Sequence, residues 1–305
     1  MTSGATRPAD SRGVWLAFVT VVCWSVLPIT LRFASRHVDP YTLTWYRFSF
    51  SALVLGAILA VRRGMPSMAA LRAPKVLTLV VVATVGLVAN YVLYLVSLSY
   101  VSPTVSHVVT QLAPLLLMFG GIVLFHERLN RRQWVGVVLI LMGLLLFFNQ
   151  RLGELTRFSG RVGVGTIILL AASVVWAAYG LAQKVLLRSF TSPQTLLVIY
   201  VGATIGLVAF THPSEVVGLG GLELTMLALS CLNTLVAYGA LAEALKHSGA
   251  ARVGAVLAVV PLVTLLVTWV SNHVSPGFFE SDTLNAATVA GAVVVTVGSA
   301  LSAAK

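Results

Sequence analysis

Long stretches without a charged side chain dominate the sequence and limit what it can fold into. Six of them contain no Asp, Glu, Lys or Arg, namely residues 13–31, 133–150, 162–183, 224–242, 253–272 and 283–304. Each is close to the ~20 residues that a helix needs to cross ~30 Å of hydrocarbon. Only 10% of the 305 residues are charged, whereas about a quarter are charged in a soluble domain. The sequence therefore predicts an all-α integral membrane protein.

Turn signals divide the apolar sequence into ten predicted transmembrane helices. Residues 76–125 are also free of these charges but are too long for one span, and the turn at Tyr100–Pro103 divides them. The helices are expected at about 13–33, 41–61, 75–99, 104–125, 133–149, 163–184, 194–210, 223–244, 251–271 and 284–303. Residues 1–12 are expected to form a disordered cytoplasmic tail.

The net charge of +11 would suit a nucleic-acid partner, but the distribution of the basic residues indicates a membrane topology instead. If the N-terminus lies inside, fourteen Lys and Arg residues fall at cytoplasmic ends of the spans. Five fall at outer ends, namely Arg32, Arg36, Arg151, Arg157 and Arg161. Cytoplasmic loops carry such an excess in membrane proteins. Both termini are therefore predicted to be cytoplasmic, and no nucleic-acid partner is expected.

The two halves of the chain resemble each other in sequence. The segment Cys23–Arg32 aligns with Val175–Lys184, so that Trp falls on Trp, and Tyr94–Leu117 aligns with Leu241–Thr264, so that Pro114 falls on Pro261. The halves are residues 13–150 and 163–305, joined by an outer link at 151–162. Because each half has five helices, an odd number, the second must enter the membrane in the opposite sense. This is an inverted repeat, and such transporters bind substrate near the bilayer midplane between the repeats.

Three motifs resemble the EamA family of the drug/metabolite transporter superfamily. They are Leu124–Phe147, with its His-Glu-Arg-Leu sequence before a Trp-led helix, Leu43–Leu55, with its arginine, and Ala244–Val263, with its mid-helix proline. Within the family the chain is most similar to the bacterial aromatic amino-acid exporter branch. Asn272–Ser281 departs from the Gly-Glu motif of the family. The resemblance implies a multi-pass exporter in the bacterial inner membrane.

Polar and aromatic residues at membrane depth are the candidate substrate-binding residues. An unpaired amide costs several kcal/mol in hydrocarbon, and the spacing of these residues places them on shared helix faces. The candidates are Trp24, Asn90, Tyr91, Tyr94, His107, Gln111, Trp176, Tyr179, Gln183, Asn233 and Tyr238. Two alternatives stay open, because the amides are also suited to hydrogen bonds between helices and the two Trp rings to core packing.

Pro114 and Pro261 are predicted hinges. A proline within a helix removes one backbone hydrogen bond and leaves a carbonyl group free. Matching positions in both repeats favour paired bends in the transport pathway over accidents of packing. Arg47 is expected to extend toward the outer headgroups or to cap outer carbonyl groups.

The predicted function is export of small neutral amino acids with aromatic or apolar side chains, or of related metabolites, by alternating access. Export of drugs or other metabolites by the same superfamily is the alternative. Cation antiport needs a carboxylate at midmembrane, and the candidate Glu243 lies near a helix end beside Lys246. A membrane-embedded enzyme is a weaker reading, because the sequence lacks HExxH. The partners are the lipid bilayer and a small-molecule substrate; the oligomeric state stays open. No cofactor or metal is expected, and Cys23 and Cys231 are interpreted as packing residues.

Overall fold

Helices make up most of the chain that the structure describes. The computed structural model describes residues 11–126, 130–150, 160–247, 256–274 and 285–303, and these contain no β-strand. The α-helices are α1 (Ser11–Ala34), α2 (Pro40–Val61), α3 (Met68–Leu71), α4 (Pro74–Ser97), α5 (Pro103–Thr110), α6 (Leu112–Phe125), α7 (Arg131–Phe147), α8 (Gly160–Leu186), α9 (Ser192–Leu207), α10 (Gly221–His247), α11 (Val260–Val274) and α12 (Ala286–Ala303). Two 3₁₀ helices, Val208–Phe210 and Pro213–Gly218, follow α9.

Seven segments of the described chain are long and apolar enough to cross a membrane. They are α1, α2, α4, the α5–α6 segment, α8, α9 and α10; α11 and α12 are apolar but shorter. Their outward faces carry large apolar side chains, for example Leu53, which is 74% exposed, and Ile205, which is 67% exposed. Continuous apolar surface of this kind is costly in water and favourable in lipid. The chain is therefore a multi-pass membrane protein.

Several predicted boundaries differ from the structure or fall outside the described residues. The expected tail at 1–12 lies outside except for Ser11 and Arg12, which already belong to α1. The expected outer link at 151–162 lies outside up to residue 159, and α8 begins at Gly160. Most of the segment Asn272–Ser281 and residues 127–129 of the His-Glu-Arg-Leu motif also lie outside.

The fourth span, expected at 104–125, is one apolar segment, Pro103–Leu124, with a break inside it. The helix α5 ends at Thr110 and α6 begins at Leu112, and Gln111 lies between them, its N–H donating to the carbonyl of Val108 at 3.3 Å. Pro114 explains the break, because it has no N–H to donate to the carbonyl four residues earlier. A similar turn at residues 258–259 precedes Pro261 in α11.

Four glycines bring α7 and α12 into close contact. Gly136 lies opposite Gly298, and Gly143 lies opposite Gly291. A β-carbon on Gly143 would lie 2.6 Å from a backbone nitrogen of α12, and one on Gly298 would lie 2.7 Å from a backbone nitrogen of α7. Only glycine allows the two backbones to approach this closely. Since residue numbers rise along α7 as they fall along α12, the two helices are antiparallel. We call these four residues the glycine seam.

The remaining helices also pair between the two halves of the chain. The helix α1 packs on α10, α4 on α8, α2 on α9 and α5 on α11. One cluster of buried side chains, which includes Phe48, Leu87 and Ile199, joins α2, α4, α8 and α9. These pairs of helices from opposite halves leave a space between α1, α4, α8 and α10, and the candidate residues lie there.

A polar cluster fastens the start of α2 to the segment after α9. Oδ1 of Asp39 accepts hydrogen bonds from the N–H groups of Tyr41 and Thr42 at 2.8 and 3.2 Å, and the N–H of Asp39 donates to Oε2 of Glu215 at 2.9 Å. Nδ1 of His212 lies 3.8 Å from Oδ2 of Asp39. Burial raises the pKa of Asp39, but the hydrogen bonds outweigh it and leave the pKa below its usual value. These three residues form the one metal-type cluster among the described residues, with ligand atoms within 4.8 Å, although hydrogen bonds already engage both carboxylates.

Candidate functional site

A cavity of about 690 Å³ lies between the two halves of the chain. Its wall reaches Gln133 and Lys184, near the start of α7 and the end of α8, so it extends toward that end of the bundle. Toward the Asp39 end the helices meet in a packed cluster that includes Leu31 and Leu95. Small-molecule pockets have volumes of ~300–1,000 Å³. The cavity is therefore large enough for a metabolite, and its described lining extends toward the Lys184 end.

Nine of the eleven candidate residues line this cavity: Trp24, Asn90, Tyr91, Tyr94, His107, Gln111, Trp176, Asn233 and Tyr238. Tyr179 and Gln183 do not belong to the described lining. Tyr179 is instead buried in the cluster that holds Leu87, and Gln183 follows it by one helical turn. Tyr179 follows Trp176 by three residues, slightly less than the 3.6 residues of a full turn, so the two side chains point in different directions. Tyr179 packs toward α4 and away from the cavity.

Aromatic rings from both halves form much of the wall. The rings of Trp24 and Tyr238 meet edge to face across the boundary between the halves, with centroids 6.0 Å apart. Tyr91 packs against Phe48 at 4.7 Å and is held in the buried cluster. Such rings supply a large apolar surface with a fixed orientation. The wall is therefore suited to flat or bulky apolar groups.

Two asparagines both bridge helices and face the cavity. Nδ2 of Asn90 donates to the carbonyl of Ala172 at 3.0 Å, and Nδ2 of Asn233 donates to the carbonyl of Cys23 at 2.6 Å. Each bond joins one half of the chain to the other. Oδ1 of Asn233 is buried and has no partner among the described residues. Both asparagines thus join helices from positions in the cavity wall, and the acceptor capacity of Oδ1 of Asn233 is unused among the described residues.

His107 satisfies a carbonyl group that a proline has released. Pro28 lies inside α1 and has no N–H for the carbonyl of Trp24, four residues earlier. Nε2 of His107 lies 3.2 Å from that carbonyl oxygen. A carbonyl oxygen only accepts, so Nε2 carries the proton and donates. This bond satisfies the carbonyl group of Trp24 and holds the imidazole at the cavity wall.

The two helix breaks meet the cavity at corresponding positions. Gln111 lies three residues before Pro114 and Ala258 lies three residues before Pro261, and both line the cavity. Oε1 of Gln111 accepts from Oγ of Ser299 at 2.8 Å. The carbonyls that lose their helical donors belong to the residues four before each proline, and these residues, Thr110 and Leu257, also line the wall.

Arg47 lies in the cavity wall, contrary to the expectation that it extends to the outer headgroups. It is 3% exposed, and its Nε donates to Oγ1 of Thr234 at 3.0 Å. The guanidinium carbon lies 4.5 Å from the ring centroid of Tyr91. The turn of α2 that carries Arg47 faces α10 rather than lipid, which sequence could not reveal. The sequence did mark Arg47 as unusual, because it is the one charged residue in the span Pro40–Val61.

Other lining residues were not among the candidates. They are mostly small polar or apolar side chains, such as Thr110, Ser173, Thr234, Ala258 and Ser299. Ser and Thr are common in the contacts between transmembrane helices, so nothing in their type separates a lining position from a packing position. Of these residues, only Thr110 could have been proposed from the sequence, because it directly precedes the candidate Gln111.

Comparison with known proteins agrees with this architecture. A model of the EamA-like transporter family matches residues 11–149 and again residues 163–303. The chain belongs to the EamA-like transporter family. Because one model matches both halves, the chain consists of two repeats of the same unit. Its described helices and its family together make it a membrane transporter of the drug/metabolite superfamily.

Individual relatives extend over nearly the whole chain. The "Uncharacterized inner membrane transporter YhbE" of Escherichia coli (strain K12) is 40% identical over 95% of this chain and 91% of its own length. An "Uncharacterized transporter" of Haemophilus influenzae is 34% identical over 95% and 94%. A "Probable amino-acid metabolite efflux pump" of Salmonella typhimurium is 24% identical over 93% and 92%. A solved crystal structure with 21% identity, which covers 95% of this chain and 96% of its own, has the same fold with a TM-score of 0.64. The chain is thus a multi-pass inner-membrane protein.

Proposed function

We propose that this EamA-family protein exports small neutral amino acids with aromatic or apolar side chains across the inner membrane by alternating access. The observation that carries the proposal is the cavity between the repeats, where aromatic rings lie beside uncharged amides. Trp24, Tyr91, Trp176 and Tyr238 form the wall for the substrate side chain. Gln111, with Asn233 and the carbonyl groups released by the prolines, holds the polar end. The name of the Salmonella relative supports amino-acid metabolites as the substrate class.

The chain crosses the membrane ten times, as two inverted five-helix repeats at 13–150 and 163–305. The antiparallel glycine seam supports the inversion, because α7 and α12 end the two segments that the family model matches. The charge distribution supports cytoplasmic termini. In this topology Asp39 lies outside, Lys184 lies inside, and the cavity faces the cytoplasm.

This topology has a direct test in cysteine labelling. In a variant without Cys23 and Cys231, single cysteines at residues 65 and 130 react only from the cytoplasm, and those at 102 and 277 only from outside. Labelling of residue 102 from the cytoplasm contradicts the ten-span topology.

Pro114 and Pro261 act as hinges at the two breaks, and transport is uniport down the substrate gradient. No carboxylate of the described residues lines the cavity, so the chemistry of cation exchange is lacking there. His107 already donates to the carbonyl of Trp24, which makes it a structural contact rather than a proton carrier. Alkalinisation driven by substrate that disappears in His107→Gln contradicts uniport.

The substrate class is tested with purified protein in proteoliposomes. Phenylalanine, tryptophan and methionine compete with labelled phenylalanine in counterflow, whereas lysine and glutamate barely compete. Trp24→Ala and Trp176→Ala reduce transport of bulky substrates more than that of small ones. Trp134→Ala, which changes a ring that is 50% exposed on the outside of the bundle, is the matched control. Equal competition by lysine and phenylalanine contradicts the proposal.

A further inference from the structure

Arg47 is the one strongly buried charge in the described cavity wall. Its exposure is 3%, and it lies in α2, seven residues after Pro40, on the turn that faces α10. The other lining cation, Lys184, is exposed and lies near the opposite end of the cavity, two residues before the end of α8. Arg47 therefore stands at the end of the described cavity wall that is remote from Lys184.

The contacts of Arg47 orient its guanidinium group without neutralising it. Nε is engaged by the hydroxyl of Thr234 at 3.0 Å, and the ring of Tyr91 covers the guanidinium at 4.5 Å. The two terminal nitrogens make no hydrogen bond to another described residue. A hydroxyl and an aromatic face stabilise a cation but carry no opposite charge.

No acidic residue of the described segments balances this charge. Four of the chain's nine acidic residues are described, namely Asp39, Glu215, Glu223 and Glu243, and none of them lines the cavity. The other five lie in sequence before α1 or between helices. Arginine stays protonated at every physiological pH, and an unpaired charge out of water is costly. Among the described residues this leaves the opposite charge to be supplied by whatever fills the cavity.

We propose that Arg47 binds the carboxylate group of the substrate, so that a carboxylate is obligatory for binding and an ammonium group is not. A carboxylate accepts two parallel hydrogen bonds from the terminal nitrogens of a guanidinium group. With Nε held by Thr234, those two nitrogens remain for the ligand. A single cation at this end of the cavity wall suits a singly charged group better than a phosphate. The inference rests on the proposed function and narrows its substrate class to carboxylates with an apolar body.

The first test changes the ligand and leaves the protein intact. Thermal unfolding of the purified full-length protein in detergent is followed with phenylalanine, 3-phenylpropionate, phenylalaninamide and phenethylamine, because a ligand that binds the folded state raises the unfolding temperature. The two carboxylates are expected to act at concentrations at least tenfold lower than the two compounds without one. Equal action of phenylalanine and phenylalaninamide overturns the proposal, whether or not any variant folds.

The second test changes the arginine. Arg47→Gln is expected to weaken the binding of phenylalanine and 3-phenylpropionate at least tenfold and to leave the binding of phenylalaninamide unchanged. The variant then no longer distinguishes compounds with a carboxylate from compounds without one. Arg47→Lys, which keeps the charge, retains part of the preference. Arg62→Gln, which alters an exposed arginine at the end of the same helix, is the control and behaves as wild type. A merely structural role of Arg47 would weaken all four ligands by the same factor, and that result overturns the proposal.

Failure of the proposed function is distinguishable from failure of this inference. If amino acids do not bind but other carboxylates stabilise the protein in an Arg47-dependent manner, amino-acid export is wrong, whereas carboxylate binding by Arg47 is upheld. If amino acids are transported, but no better than their amides, carboxylate binding by Arg47 is wrong, whereas amino-acid export is upheld.

Discussion

The two repeats build the same frame around the cavity but supply different chemistry to it. Two positions at the helix break illustrate this. The first repeat presents Thr110 and Gln111, whereas the second presents Leu257 and Ala258 at the corresponding distances from its proline. The break is common to both repeats, but the hydrogen-bonding side chains are confined to the first. At this break, a polar group in the cavity therefore meets hydrogen-bonding side chains on the first repeat and apolar side chains on the second.

Contacts between the halves show the same divergence. If Tyr91 corresponds to Tyr238, as the alignment of the repeats requires, then Asn233 corresponds to Gly86. Asn233 bonds the carbonyl of Cys23, whereas Gly86 lies directly against the carbonyl of Val175. An amide bond in one interface is replaced by close backbone contact in the other. Equivalent helices can thus be joined by unlike interactions once each repeat evolves separately.

The largest effect is expected where the repeats are most alike, at the glycine seam. Gly143→Leu should prevent stable folding, because even its β-carbon would lie 2.6 Å from a backbone nitrogen of Val295 and neither backbone can yield. Size-exclusion profiles and unfolding temperature of the detergent-extracted protein measure this. Gly206→Leu, at a position with no atom within 4 Å of the added β-carbon, is the control. A monodisperse Gly143→Leu protein with wild-type unfolding temperature contradicts the close contact.

The difference between the repeats is tested by exchanging their side chains at the break. Gln111→Ala should weaken all substrates roughly 5- to 30-fold, the effect of ~1–2 kcal/mol from a lost hydrogen bond in a desolvated site. Ala258→Gln alone should hinder bulky substrates more than small ones, because it adds volume to the apolar side. Concentration dependence of counterflow separates the two effects. If the double exchange restores wild-type transport, the repeats are interchangeable and the comparison fails.

The shared prolines should affect rate rather than affinity. Pro114→Ala and Pro261→Ala each restore a backbone donor for the carbonyl four residues earlier and stiffen the bend. Transport should slow several-fold at an unchanged half-saturating concentration, with the unfolding temperature equal to or above that of wild type. Pro213→Ala, outside the cavity, is the control. Wild-type rates in both mutants would remove the hinge role.

The smallest effect is expected at the Asp39 end of the bundle, away from the described cavity lining. The pKa of Asp39 is lower in the folded protein than its usual value, so its carboxylate stabilises the fold above about pH 4 and this contribution is lost as the pH falls through the folded pKa. Asp39→Asn should cost less than ~1 kcal/mol at pH 7, because Asn also caps a helix. Unfolding temperatures at pH 7 and at acidic pH measure it. If Asp39→Asn lowers the unfolding temperature equally at pH 7 and at acidic pH, the charge of Asp39 does not contribute to stability.

The sequence by itself determined the class of the protein, most helix positions, the repeat and the sites of both breaks. These features depend on local properties. The length of an uncharged run sets a span, and a proline removes a donor wherever it stands. Depth can also be counted along a helix, which is why nine of the eleven candidates line the cavity.

Only the tertiary structure decided how each helix is rotated and which partner its polar groups meet. Tyr179 shared a helix with Trp176 but turns toward α4, and Arg47 turns inward to Thr234 instead of outward. The carbonyl of Trp24 finds His107 across 83 residues of chain. These choices depend on contacts between distant segments, where packing and the avoidance of unpaired polar groups in hydrocarbon select one rotation. No local pattern in the sequence carries that information.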